Sequence, residues 1–521
     1  MWAKIRQFKG RNQLFTHSSF SAVDLNKHFA AVSNDPHYIT PSPRLTCLPT
    51  PSNLANISEY RIFTLLDSLK DTATGMDDLP AWFLRLCAPS FSLPIAKLFT
   101  LSLSSSTVPT QWKHACITPL PKVPQPSTCS DYRPISITPV LSRLLEKLVV
   151  RHYLYPTLAI QPFQSELSNQ FAFRPSGSTT SALISLLHTL SSLASSYPFV
   201  YCFALDFSKA FDTLRHSTLM SKLASLPIPD YLYNWFISFL GNRRHSTKLD
   251  GITSPPDSIN SSVVQGSGLG PALFILGTRD LKAITPGNAL LKYADDTYLI
   301  IPSYNSHTIA AELTNIESWA ATCNLSLNKS KTKELIFHRP SGPTFPSPPL
   351  TVGIQRVDNL KILGVTVSGN FSFKKHVDDL ISSGSQTLYA LKTLKAHGLS
   401  STNIFAVTHS TLISKLTYCA PAWHGFSSCE DINRIDSIIK RAQRWCLHKP
   451  TAPNISLLWD KLDHSLFKSI QLPNHVLHHM LPPSVTHTYQ LRSRPHHYSL
   501  PTKSPMLSKN FLQRMLYKDI Y

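Results

Sequence analysis

A chain of 521 residues exceeds one ordinary compact domain; at roughly 150 residues per domain it suggests two to four subdomains, with 42% hydrophobic residues to fill their cores. Lys and Arg outnumber Asp and Glu by 50 to 30, a formal charge of +20, and such an excess suits a polyanionic partner, nucleic acid first, although a merely basic protein would carry it too. Nine cysteines without a C-x-x-C pair exclude a zinc ribbon or dithiol redox site, and no apolar run has signal-peptide or bilayer-spanning length, so we expect an intracellular chain with no membrane partner.

Residues 1–60 read as a linker region with a Pro/Ser-rich stretch near 36–52. Residues 80–103 space their apolar positions as a helix pair interrupted at Pro94, and 139–155 is a stronger helical pattern. The run FVYCFALDF at 199–207 is short, apolar and aromatic, which predicts a buried strand ending on a carboxylate. LLKYADDTYLII at 290–301 sets two apolar halves around a polar centre, the pattern of a hairpin with acids at its turn. A second Pro/Ser stretch at 340–349 predicts a loop. Helical periodicity returns at 374–397 and 430–447, with Lys and Arg on the polar faces. From about residue 470 the chain is rich in Pro, His and Ser and weakly periodic, and little order is expected there. No fixed-period repeat runs through these segments, which argues against a solenoid.

Asp295 and Asp296, adjacent at a hairpin turn, repel each other unless protonation, a basic partner or a metal neutralises them. A solvated turn explains such a pair about as readily as a metal site. Asp206, at the end of a buried strand, tilts the balance, because two divalent cations about 3.5–4 Å apart need oxygen ligands from more than one element. If strand 199–207 lies beside hairpin 290–301, the three carboxylates converge at one sheet edge. One metal there would lower the pKa of a primer 3′-hydroxyl and the other would hold a triphosphate and its leaving pyrophosphate, which is nucleotidyl transfer.

The spans ITPLPK (117–122), SDYRPISITPVLSRLLEKLV (130–149), NQFAFRPSGSTTSAL (169–183), FALDFSKAFDTLRHSTLMSKL (203–223), VVQGSGLGPALFIL (263–276), KYADDTYLI (292–300) and NLSLNKSKTKELIF (324–337) follow one another in the order found in reverse transcriptases of non-LTR (LINE-type) retrotransposons, which this chain resembles over roughly residues 20–447. The helical segment LTYCAPAWHGFSSCEDINRIDSIIKRAQRWCL is similar to that of jockey-like and CR-type elements. The resemblance implies an α+β fold of the right-hand polymerase type, with an antiparallel-sheet palm, mostly helical fingers and a helical thumb. It divides the chain into the linker region 1–60, fingers and palm at 61–370, the thumb and following helical segment at 371–450 and a C-terminal tail at 451–521.

The resemblance also implies roles. Asp206, Asp295 and Asp296, with the Phe207 carbonyl, would hold Mg²⁺, or Mn²⁺ in its place. Lys122 and Arg133 would grip the triphosphate, as a point charge and a planar donor, unless they are two solvated surface cations. Phe207 also falls in the nucleotide site, and the Phe211 ring would pack where a ribose 2′-hydroxyl projects, unless it is a core phenylalanine. Gln265 and Gly266 would lie under the incoming nucleotide, where glycine permits close approach, or else form a plain turn. Lys331 would protonate pyrophosphate, with Lys329 and Lys333 as neighbours open to the same reading. Arg174 and Ser176 would touch the template.

The family reads Gly-Phe-Arg where this chain has Ala172-Phe173-Arg174, so a position suited to glycine carries a methyl group. About seventy residues precede the polymerase-like segment, too few for the endonuclease that full-length elements carry there. The expected function is RNA-directed DNA polymerisation from deoxynucleoside triphosphates on an RNA template with a DNA primer, in the nucleus or cytoplasm. The alternative is a non-catalytic nucleic-acid-binding relic of a truncated element.

Overall fold

The computed structural model describes residues 20–44, 57–340, 345–485 and 496–518. The loops expected near 36–52 and 340–349 lie partly outside these residues. The chain forms two compact units: the first holds the described residues up to Leu167, Ser208–Asp280 and Ser318–Ser326, and the second Ser168–Phe207, Leu281–Glu317 and the described residues from Leu327 on. Strands distant in sequence pair with one another, so each unit gathers separate stretches of chain.

The first unit is built on a five-stranded mixed sheet. His114–Pro121 runs antiparallel to Tyr132–Ile137, with Leu120 opposite Arg133, and parallel to Arg243–Leu249, with Cys116 opposite Ser246. Ile252–Thr253 and Asp257–Ile259 both pair with Arg243–Leu249. The strand pattern of this sheet is masked in the sequence, because its strands are short and Pro119, Pro121 and Pro134 lie within them. A helix Ala22–Val32 lies inside the expected linker region; Ser21 and Asp24 close a capping box at its start, and Leu25 and Phe29 bury against Ile117 and Tyr132. Helices Ala81–Leu86 and Ala88–Ser104 meet at Cys87, and Pro94 sits inside the second rather than ending it.

Glu146 is buried on the next helix, Val140–Val149, where Ser142 donates to it and its Oε2 accepts the Leu269 N–H at 3.1 Å. A buried carboxylate is costly unless such donors satisfy it. Burial pushes its carboxyl above the usual range, against those hydrogen bonds and the Arg243 charge. The helix and the loop before Gly270–Gly277 are thereby tied together.

The second unit holds a five-stranded sheet in the order Gln355–Arg356, Lys333–Phe337, Val200–Leu205, Asp296–Pro302, Ala289–Tyr293. All pairings are antiparallel except the edge strand Gln355–Arg356. The apolar run of Val200–Leu205 fits the central place, because a strand with neighbours on both sides and cover on its faces tolerates no polar side. Helix Thr179–Ser196 covers the sheet through Leu183, Leu187 and Leu190, and Lys374–Ala396 and Cys429–Arg444 form on the expected periodicity.

The described residues of the expected C-terminal tail are folded. Ile455–Ile470 and Phe511–Leu516 are helices, and Trp459, Phe467, Phe511 and Leu512 are buried in the core of the unit. Pro and His obscured a pattern whose apolar residues find their partners only in the tertiary fold. Asp463, without exposed surface, receives His424 Nε2 at 2.9 Å and the Arg514 guanidinium.

Candidate active site

The carboxylates are placed by strand register within the second unit. Leu205 lies opposite Thr297, so Asp206, the next residue, comes level with Asp296 on the adjacent strand. Tyr293 pairs with Asp296, leaving Ala294 and Asp295 as the two-residue turn of the hairpin. Ala294 has φ +57°, as tight two-residue turns require, in the left-handed region that a side chain normally avoids. The loop after Leu327 fixes Asp206 from its other side. The Asp206 N–H donates to Thr332 Oγ1 at 3.3 Å, its carbonyl accepts the Asn328 N–H at 2.8 Å, and Phe207 bridges to Leu327.

The acids sense one another. Asp296 reaches the surface, yet partial burial, then the charges of Asp295 and Asp206, push its carboxyl up to about 6. Among the described residues no three His, Cys, Asp or Glu side chains close round a common point as ready-made ligands. The donors on offer, carboxylates and the Phe207 carbonyl, are nonetheless the hard oxygens that Mg²⁺ prefers. Lys331 stands exposed on the loop that clamps Asp206, while Lys329 is paired with Glu317 at 2.6 Å.

The first unit contains a cleft whose lining includes His28, Lys122, Lys209, Asp212, Ser136 and Gln265. Lys122 is held by its N–H to the Asp131 carbonyl at 2.7 Å and by its ammonium to the Ser130 carbonyl at 2.8 Å. Gln265 accepts the Ser136 N–H at 3.0 Å and donates through Nε2 to Asp212 at 2.9 Å. Gly266 has φ +112°, and a Cβ there would fall 2.2 Å from the Ser136 carbonyl oxygen, so only glycine fits. Phe211 stacks on Phe274 at 4.1 Å and 13°, packing like a core residue on that face.

Lysines and arginines crowd this cleft, Lys122, Lys209, Arg243 and Arg244 among them. His28 lies 3.3 Å from the Lys209 ammonium, and its pKa is lowered by burial and then by Lys209 and Lys122. Burial and Lys122 likewise lower Lys209. Burial pushes Asp212 up to about 6, against the Gln265 hydrogen bond and the charges of Lys209, Lys122 and Arg133. Mutually repelling basic side chains lining one cleft make a seat for an anion.

Residues 120–367 match the family model described as reverse transcriptase (RNA-dependent DNA polymerase). Over that segment the chain is similar to reverse transcriptases. It is 28% identical over 324 residues to the RNA-directed DNA polymerase from mobile element jockey of Drosophila melanogaster, covering 59% of this chain and 34% of that protein. To the jockey enzyme of Drosophila funebris it is 30% identical, covering 49% and 29%, and to the probable RNA-directed DNA polymerase from transposon X-element of D. melanogaster 26%, covering 68% and 39%. The chain thus spans between a quarter and a half of the length of these relatives.

The matched segment contains the three acids, Lys122, Arg133, Phe207, Phe211, Gln265, Gly266 and Lys331, while His28 lies before it. Sequence reading passed over Lys209 and Asp212, although both stand in the quoted span 203–223 just after Asp206, because their meaning depends on Gln265 and Lys122 arriving from elsewhere. Arg174 and Ser176 are engaged inside the second unit. Arg174 donates to the Gln170 carbonyl at 3.2 Å, and Ser176 Oγ accepts the Val476 N–H at 3.0 Å, so a template strand reaching that hydroxyl must displace the 474–476 segment. Ala172 is buried and is not among the residues with positive φ; the left-handed residue is Phe173, at φ +55°, so the methyl at 172 is not strained by its backbone. Among the described residues no helix is long and apolar enough to cross a membrane.

Proposed function

We propose that the chain is an RNA-directed DNA polymerase that adds deoxynucleotides to a primer 3′-hydroxyl on an RNA template. The observation that carries this reading is the register that sets Asp206 beside the Asp295–Asp296 turn at one sheet edge. Asp206, Asp295, Asp296 and the Phe207 carbonyl would hold Mg²⁺, which when bound activates the hydroxyl and neutralises the leaving pyrophosphate. Lys122, Arg133, Lys209 and His28 bind and orient the phosphates of the incoming nucleotide. Gly266 lets the backbone approach it closely, Gln265 sets the Asp212 carboxylate, and Phe211 bounds the sugar. Lys331 delivers a proton to pyrophosphate, and Arg174 and Ser176 contact the template once the 474–476 segment yields. The work takes place inside the cell, in the nucleus or cytoplasm.

Extension of a labelled DNA primer on an RNA template with Mg²⁺ tests the reading. The chain should incorporate deoxynucleotides at least about a hundredfold faster than Asp295→Asn, in keeping with the loss of a metal ligand. Incorporation no higher than that control, with RNA still bound, would return the chain to a non-catalytic binding relic.

A further inference from the structure

The hairpin turn that presents Asp295 is strained, and one side chain holds it. Ala294 occupies the left-handed region at φ +57° immediately before Asp295, and its peptide groups are buried. Gln170 has no exposed surface. Its Oε1 accepts both the Ala294 N–H at 3.1 Å and the Ala172 N–H at 2.9 Å, and its Nε2 points to the Ala294 carbonyl at 3.5 Å. Backbone pairing keeps Gln170 in place: the Lys292 N–H donates to the Asn169 carbonyl at 2.7 Å and the Phe171 N–H to the Lys292 carbonyl at 2.9 Å. A buried amide that satisfies both peptide groups of a strained residue does more than fill space, since removing it leaves an orphaned N–H in the turn.

We infer that Gln170 is a positioning residue for metal binding: it locks the left-handed Ala294 and so fixes the direction in which Asp295 and Asp296 leave the turn. The inference deepens the polymerase reading and rests on it for the reaction, but its effect on cation affinity is separable. Gln170 would touch neither substrate nor metal. A turn released to right-handed geometry rotates the carbonyl of residue 294 and the bond to Asp295, and carboxylates placed an ångström away lose both cation affinity and rate.

The test compares the full chain with Gln170→Met, which keeps side-chain volume without the amide, and measures binding of Mn²⁺ alone by electron paramagnetic resonance beside primer extension. Gln170→Met should weaken Mn²⁺ binding and lower kcat by about tenfold or more each, while the deoxynucleotide KM and RNA affinity stay within about twofold. Ala294→Gly in the same background removes the left-handed penalty and should restore at least about threefold of the Mn²⁺ affinity. Circular dichroism at the assay temperature checks that each variant is folded; should Gln170→Met fail this, Gln170→Glu, which keeps an oxygen to accept the Ala294 and Ala172 N–H groups, carries the test and should bind Mn²⁺ at least as tightly as the native chain. Unchanged Mn²⁺ affinity in Gln170→Met, no recovery with Ala294→Gly, or a native chain that binds no Mn²⁺ overturns the inference. A native chain that binds Mn²⁺ but extends no primer overturns the polymerase reading alone.

Discussion

At the scale of single residues, the cleft is governed by charges that burial makes expensive. Asp212 titrates near 6 instead of in the usual carboxylate range, because burial outweighs the Gln265 hydrogen bond and the neighbouring cations. The folded state therefore holds that proton more tightly than the unfolded chain, and ionising Asp212 costs stability that grows from about pH 4 and is complete above about 6. Asp212→Asn should accordingly raise the Tm at pH 7.5 and leave it unchanged at pH 4. Because a neutral Asp212 removes a negative charge facing Lys209 and Lys122, the deoxynucleotide KM should fall by about threefold between pH 7.5 and 5.5 in the native chain, and stay low at both in Asp212→Asn. Gly266 makes a steric prediction. Gly266→Ala sets a methyl group against the Ser136 carbonyl and should destabilise the fold by about 1–3 kcal/mol in urea unfolding, with a raised deoxynucleotide KM.

At the scale of elements, the C-terminal helices are held by a buried charge as well as by apolar packing. Asp463 on Ile455–Ile470 meets His424 and, from Phe511–Leu516, Arg514. Burial alone would raise its carboxyl, but the His424 hydrogen bond and the Arg514 charge prevail and hold it below the ordinary range. Its contribution is therefore complete above the unfolded-state value of about 4 and is lost as pH falls through the lower folded one. Arg514→Ala leaves that carboxylate buried and short of a partner, and should cost about 3–5 kcal/mol at pH 7, read as a lower midpoint in urea. The matched replacement Asp463→Asn combined with Arg514→Met should cost less, because no unpaired charge remains.

For the whole molecule, the excess of 50 basic over 30 acidic residues sets how it meets nucleic acid. Phosphate contacts release counterions, so RNA affinity measured by fluorescence anisotropy should fall by at least about a hundredfold between 50 and 200 mM salt, linearly in the logarithms. A slope near zero would show that the surplus charge is spread where no backbone reaches it.

The strand 199–207, the hairpin 290–301 and the helices at 374–397 and 430–447 were legible from the sequence because each carries its own periodicity: an apolar run for a strand buried on both faces, a polar turn between apolar halves, a 3.6-residue stripe. The acids were legible for the same reason, since their places follow from local pattern and one strand pairing. Local pattern could not show the sheet around His114–Pro121, broken by prolines, or the buried helices beyond residue 451, whose apolar residues are defined by partners far along the chain. Nor could it assign Gln170, Lys209 or Asp212, because a buried amide and a cation cluster take their meaning from groups that only tertiary contact brings within hydrogen-bonding or Coulombic range.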